Sequence, residues 1–174
     1  MTSEWHDWHD FYMLLGTASA ALVALLFVAV SIGARFFSPE RSTATRTFMS
    51  PVVFHYSSVL LLSLIVLIPT HTPVSLAVSI ALVAMIGIVF TIIVLVGLAR
   101  ASISDTADRL GYGVCPLAAY LAMLVAAELI ASSPVVSADV LAGALLVLLT
   151  VNIRNAWDLM LAFARRVGSQ SPDT

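Results

Sequence analysis

Apolar positions along this chain gather into five long unbroken runs, Phe11–Ala34, Phe48–Pro69, Val74–Ala99, Tyr112–Ala131 and Ala138–Trp157, separated by short polar breaks. Each run is about 20 residues or more, enough at ~1.5 Å rise per residue to cross a ~30 Å hydrocarbon core. The third is the longest and should tilt or protrude. None shows the polar–apolar alternation of a membrane barrel strand. In lipid a helix pairs its own backbone groups, so helices are expected throughout. The pattern predicts an all-α integral membrane protein, a five-transmembrane-helix bundle forming a single membrane domain over residues 1–174. The first run is not expected to be a cleaved signal, because its leader is acidic and its apolar core is too long.

The breaks carry their own signals. Ser38-Pro39-Glu40 offers a cap, a proline for the first helical position and an acid, so the second helix is expected to begin near Pro39. Pro51 would then lie inside it as a kink. Pro69 and Pro73 bracket a tight turn in which Thr72 is the expected cap of the third helix. Ser132-Ser133-Pro134 breaks the chain before the fifth. The small, polar tail over residues 168–174 reads as disordered.

Charge then orients the bundle. All eight basic residues are Arg, and they fall on alternate ends of the runs: Arg35, Arg41 and Arg46; Arg100 and Arg109; Arg154, Arg165 and Arg166. By the positive-inside rule the N-terminus is outside and the C-terminus cytoplasmic, in a multi-pass membrane protein. The outer side has five carboxylates (Glu4, Asp7, Asp10, Glu128, Asp139) and no Arg. That acidic rim would concentrate cations within a Debye length. Composition agrees, with 60% hydrophobic and 10% charged residues and a mean hydropathy of +1.03. The lone Cys115 excludes an internal disulfide.

Few residues offer chemistry. The tandem Trp5-His6-Asp7, Trp8-His9-Asp10 aligns like residues on one helix face. His6 and His9 are weak metal candidates. Two imidazoles do not complete a tetrahedral site, so an interfacial aromatic belt is the expectation. His55 is the sole His within a run and is followed by Ser57, Ser58 and Ser63. It either donates to a neighbouring carbonyl or stands with Ser58 on an ion path. No second His lies at its depth to complete a haem site, and no cofactor is expected. Glu128, one turn inside the outer end, either reaches the headgroups, bonds Tyr120 or His71, or belongs to that path. Arg154 and Asp158, four apart, form an interfacial pair.

Gly16, Ala20, Ala24, Phe27 and Ser31 fall within one 80° stripe of the first helix. Between helices in lipid, close approach through small residues drives association, so Gly16, Ala20, Ala24 and Ser31 predict a tight helix contact. A homo-oligomer is one way to use it.

Trp8-x-Asp10-Phe11-Tyr12, Gly16, the run Ala21-Leu22-Val23-Ala24-Leu25-Leu26-Phe27-Val28-Ala29-Val30-Ser31, Leu67-Ile68-Pro69 and Asn155-Ala156-Trp157-x-Leu159 resemble a family of small uncharacterised bacterial membrane proteins. Val23-Ala24 stands where that family is expected to have Thr-Gly. The resemblance implies a bacterial inner-membrane protein and carries no activity.

No enzymatic motif is present: the chain lacks G-x-S-x-G, H-E-x-x-H and a phosphate-binding glycine loop. Nothing suggests nucleic-acid binding. Two functions remain. The favoured one is a homo-oligomeric channel for small cations, with His55, Ser58 and Glu128 on a polar path at a symmetry axis. The other is a non-conducting accessory protein that binds another membrane complex through its helix faces, with its polar groups satisfied inside one subunit.

Overall fold

A computed structural model of the chain describes residues 8–33, 42–101 and 109–168. Among these the protein is all-helical, with no strand: α1 (His9–Gly33), α2 (Ser42–Val66), α3 (Pro73–Ala101), α4 (Cys115–Leu129) and α5 (Pro134–Gly168). A π-helical turn, Leu110–Val114, leads into α4. α1, α3, α4 with its π turn, and α5 are each long and apolar enough to cross a membrane. The apolar described part of α2 is shorter, Pro51–Val66. Ser38-Pro39-Glu40 lies outside the described residues, and so does the tail beyond Gly168.

Local chemistry accounts for the ends. Thr72 caps α3: its Oγ1 accepts from the Ser75 N–H at 3.1 Å, and Ser75 Oγ accepts from the Thr72 N–H at 2.9 Å. With Pro73 at the first helical position, this is a capping box built with Ser in place of Glu. Pro134 opens α5 in the same position, and the Ser133 N–H closes the preceding turn on Leu129 O at 2.8 Å. α2 runs on through Pro51 as one helix. α5 has 35 residues, about 52 Å, and continues well past Trp157, where the apolar run ends.

The π turn also has a local cause. Pro116 has no N–H to return to the Tyr112 carbonyl. The turn before it widens, and the Cys115 N–H reaches Leu110 O instead. Asn155 of α5 supplies a further donor, its Nδ2 bonding Gly111 O at 2.9 Å, while the Tyr112 hydroxyl donates to Asn155 O at 3.2 Å. A Cβ on Gly111 would stand 2.7 Å from Asn155 Oδ1, so glycine is required for this approach.

Successive helices run antiparallel. Gly16 and Ser19 face Ser63 and Tyr56, Gly87 and Gly113 face Tyr120 and Leu95, and Gly111 and Ala126 face Asn155 and Ser137. The starts of α1 and α5 meet where Tyr12 Oη reaches Ala138 O at 3.5 Å. One end of the bundle therefore holds His9, the Val66–Pro73 turn and the Leu129–Pro134 turn. The other holds the ends of α1, α3 and α5, with Arg100, Arg109 and Arg154.

α2 lies inside, packed on α1, α3 and α5, and α4 sits between α3 and α5. The most extensive contact joins α4 to α5, and buried Ala119, Ala126 and Ala127 of α4 share one core cluster with Ala138 and Ala144 of α5. There the Ser137 hydroxyl donates to the Ala126 carbonyl at 2.7 Å, an approach only small residues permit. The α1 stripe behaves differently. Gly16 is buried, with a Cβ there standing 3.1 Å from Ser63 Cβ, but Ala20, Ala24, Phe27 and Ser31 are exposed. Inside the chain α1 instead buries Tyr12, Leu15, Ser19 and Leu26, a face turned roughly a quarter-turn from the stripe. Residue size alone marks where helices can come close. It does not say that they do so within one chain.

Candidate functional site

The most polar part of the interior is centred on His55, which is fully buried on α2. Its Nδ1 lies 2.8 Å from the Tyr120 hydroxyl of α4, that hydroxyl lies 3.1 Å from Ser58 Oγ, and Ser58 Oγ lies 3.0 Å from the Phe54 carbonyl. The order of the protons follows from counting donors. Phe54 O can only accept, so Ser58 spends its one proton there. Tyr120 must then donate to Ser58, and His55 must donate from Nδ1 to Tyr120. All three bonds exist together only if His55 carries a proton on Nδ1. In the neutral ring Nε2 is then a bare acceptor, and it is buried with no hydrogen-bond partner among the described residues.

Tertiary packing holds this chain of bonds in place. Tyr120 lies against Gly87 of α3, and a Cβ on Gly87 would overlap its ring. Phe54 stacks on Phe90 with centroids 4.2 Å apart, and His55 packs edge-on to both rings. The Thr91 hydroxyl turns back to Gly87 O at 2.7 Å. The arrangement can pass hydrogen-bond polarity from an imidazole to a backbone carbonyl, where it ends.

The other candidates are dispersed. Glu128 is exposed on the last turn of α4 and makes no hydrogen bond or ion pair among the described residues. Neither partner suggested for it is engaged with it: Tyr120 serves His55 and Ser58, and His71 Nδ1 bonds Ser75 Oγ at 2.8 Å. Arg154 Nε and Asp158 Oδ2 are 3.7 Å apart and each about half exposed. His9 is exposed, with Nδ1 3.3 Å from Asp10 Oδ1. His6 lies outside the described residues. No group of three metal-ligating side chains gathers among the described residues. Trp8 packs edge-on against Phe11, with centroids 5.4 Å apart, as an interfacial aromatic cluster would.

Sequence reasoning singled out His55 and Ser58 but not Gly87, whose significance depends on Tyr120 arriving from another helix. Asn152 and Asn155 are buried on α5 as well, and two Asn in one apolar run were a legible sign of interior contacts.

No family model, curated protein or solved structure matches the chain.

Proposed function

We propose that this protein spans the inner membrane five times, with the His9 end outside and the Gly168 end cytoplasmic, and acts as a non-conducting accessory subunit for another membrane protein. The observation that carries this reading is that the hydrogen-bond chain from His55 begins and ends within one subunit. His55, Tyr120 and Ser58 bond to one another and stop at a backbone carbonyl, and Glu128 lies apart from them on the outer surface. A conducting path needs polar groups that remain open along its length. The orientation is supported by the alternation of the helices, which brings Arg100, Arg109 and Arg154 to one end.

The docking element of this reading is the outward stripe of α1. Ala20 and Ala24 are exposed there, so a transmembrane helix of a partner can approach the α1 backbone closely. The alternative, a homo-oligomeric cation pore, draws support from one feature. Glu128 shares an exposed α4 face with Leu121 and Val125, as it would beside a symmetry axis. Mass measurement in detergent, with cation flux into liposomes carrying the protein or Glu128→Gln, separates the two. A monomer without flux is expected. Flux that falls in the Glu128→Gln protein overturns the accessory reading.

A further inference from the structure

α1 and α5 meet near Tyr12 and Ala138, and toward the arginine-bearing end a cavity of about 640 Å³ opens between them. Its walls are apolar, with Leu22, Leu25 and Leu26 on one side and Ile153, Ala156 and Met160 on the other. Three polar groups break that lining. Tyr56, of α2, forms part of the wall, is 1% exposed, and has a hydroxyl with no hydrogen-bond partner among the described residues. Thr150 lines the cavity and is exposed. Arg154 lines it too, beside Trp157, which is 65% exposed.

We propose that this groove is a binding site for one anionic phospholipid, its phosphate on Arg154 and one acyl chain laid along Leu22, Leu25 and Ile153. Depth supports the assignment. Arg154 lies 20 residues into α5, about 30 Å from the end near Pro134, which is the thickness of a hydrocarbon core. The guanidinium therefore sits at phosphate level, and the apolar wall above it lies at chain level. From Thr150 to Arg154 the wall covers about 6 Å of α5 at chain level, enough to seat the first carbons of an acyl chain, and Ala156 to Met160 continue it toward the headgroup. Trp157 sits at the same boundary, where an indole N–H meets headgroup oxygens.

Charge selects the headgroup. Arg154 has one carboxylate partner, Asp158, at 3.7 Å through Nε. Its other guanidinium donors remain for a phosphate, which matches their fork geometry. Asp158 opposes an anionic ligand, so removing its charge should strengthen binding. An apolar partner helix in the groove would leave the remaining Arg154 donors with no anion to answer them.

The test uses the full chain in detergent with Trp5→Phe and Trp8→Phe, so that Trp157 alone reports. Phosphatidylglycerol and phosphatidylcholine with identical dibrominated chains are titrated in, and quenching is followed. Saturable quenching at about fivefold lower phosphatidylglycerol is expected, the effect of roughly 1 kcal/mol for one Arg near anionic lipid. Arg154→Gln should bring the two lipids together, whereas Asp158→Asn should widen the gap. Ala29→Phe, on the groove wall, should weaken both. Equal quenching by the two lipids, or no response to Asp158→Asn, overturns the proposal even if Arg154→Gln fails to fold. Unsaturable quenching, or a dimer that protects Trp157, overturns it as well. None of these outcomes depends on whether the protein conducts ions.

Discussion

At the scale of single residues, the His55–Tyr120–Ser58 chain gives asymmetric expectations. Tyr120→Phe strands the Nδ1 donor in an apolar interior, and a loss of about 1 kcal/mol or more is expected in thermal melts in detergent. His55→Phe with Tyr120→Phe removes both partners and should cost less than the single change. A double variant as damaged as the sum of the two would argue against the bond order derived above. Gly87 carries a second expectation. Gly87→Ala drives a methyl group into the Tyr120 ring and should cost about 1–3 kcal/mol. Trimming the ring in Tyr120→Ala should remove most of that penalty, since residues in contact are not additive. His55 was visible from sequence because a lone imidazole in an apolar run needs a partner. Its partner was not, since 65 residues separate it from Tyr120.

Among the elements, boundaries were the more legible part. Thr72-Pro73 and Ser133-Pro134 mark helix starts by chemistry that acts within one turn, and α3 and α5 begin there. Thr72→Ala removes the cap oxygen and should destabilise the start of α3 by about 0.5–2 kcal/mol, seen as faster amide exchange over its first turn. The π turn before Pro116 was not anticipated. The run Tyr112–Ala131 reads as one unbroken helix, and the widened turn is also braced by Asn155 docking from α5. Asn155→Ala should leave Gly111 O without that donor and lower the melting temperature, and Asn155→Asp should lower it further, because a buried carboxylate would face that carbonyl with no proton to donate. The α1 stripe is the clearest divergence. Its small residues mark a surface capable of close contact, and the chain satisfies α1 with a different face while making its tight contact between α4 and α5.

For the whole molecule, topology is the property most open to a direct test. In a Cys115→Ser background, Ser133→Cys should react with an impermeant maleimide from outside intact cells, and Ser171→Cys only after permeabilisation. Labelling of both from outside would show that α5 does not cross the membrane and would contradict the proposed orientation. α2 matters most here, since its apolar described part is the shortest and it is also the helix most enclosed by others. A helix inside a bundle is shielded by protein along its length, so it tolerates His55, Ser58 and Ser63 where a lipid-facing helix would not.

The sequence by itself determined that the chain forms long apolar helices and that Arg100, Arg109 and Arg154 fall at one end, because hydropathy and helix-end chemistry act over a few consecutive residues. Tertiary structure alone decided which faces meet. It put Tyr120 against Gly87, seated Asn155 on the π turn, turned the small face of α1 outward and left a groove between α1 and α5. In a chain this uniformly apolar, burying one face gains little over burying another, so shape and a few hydrogen bonds choose among them.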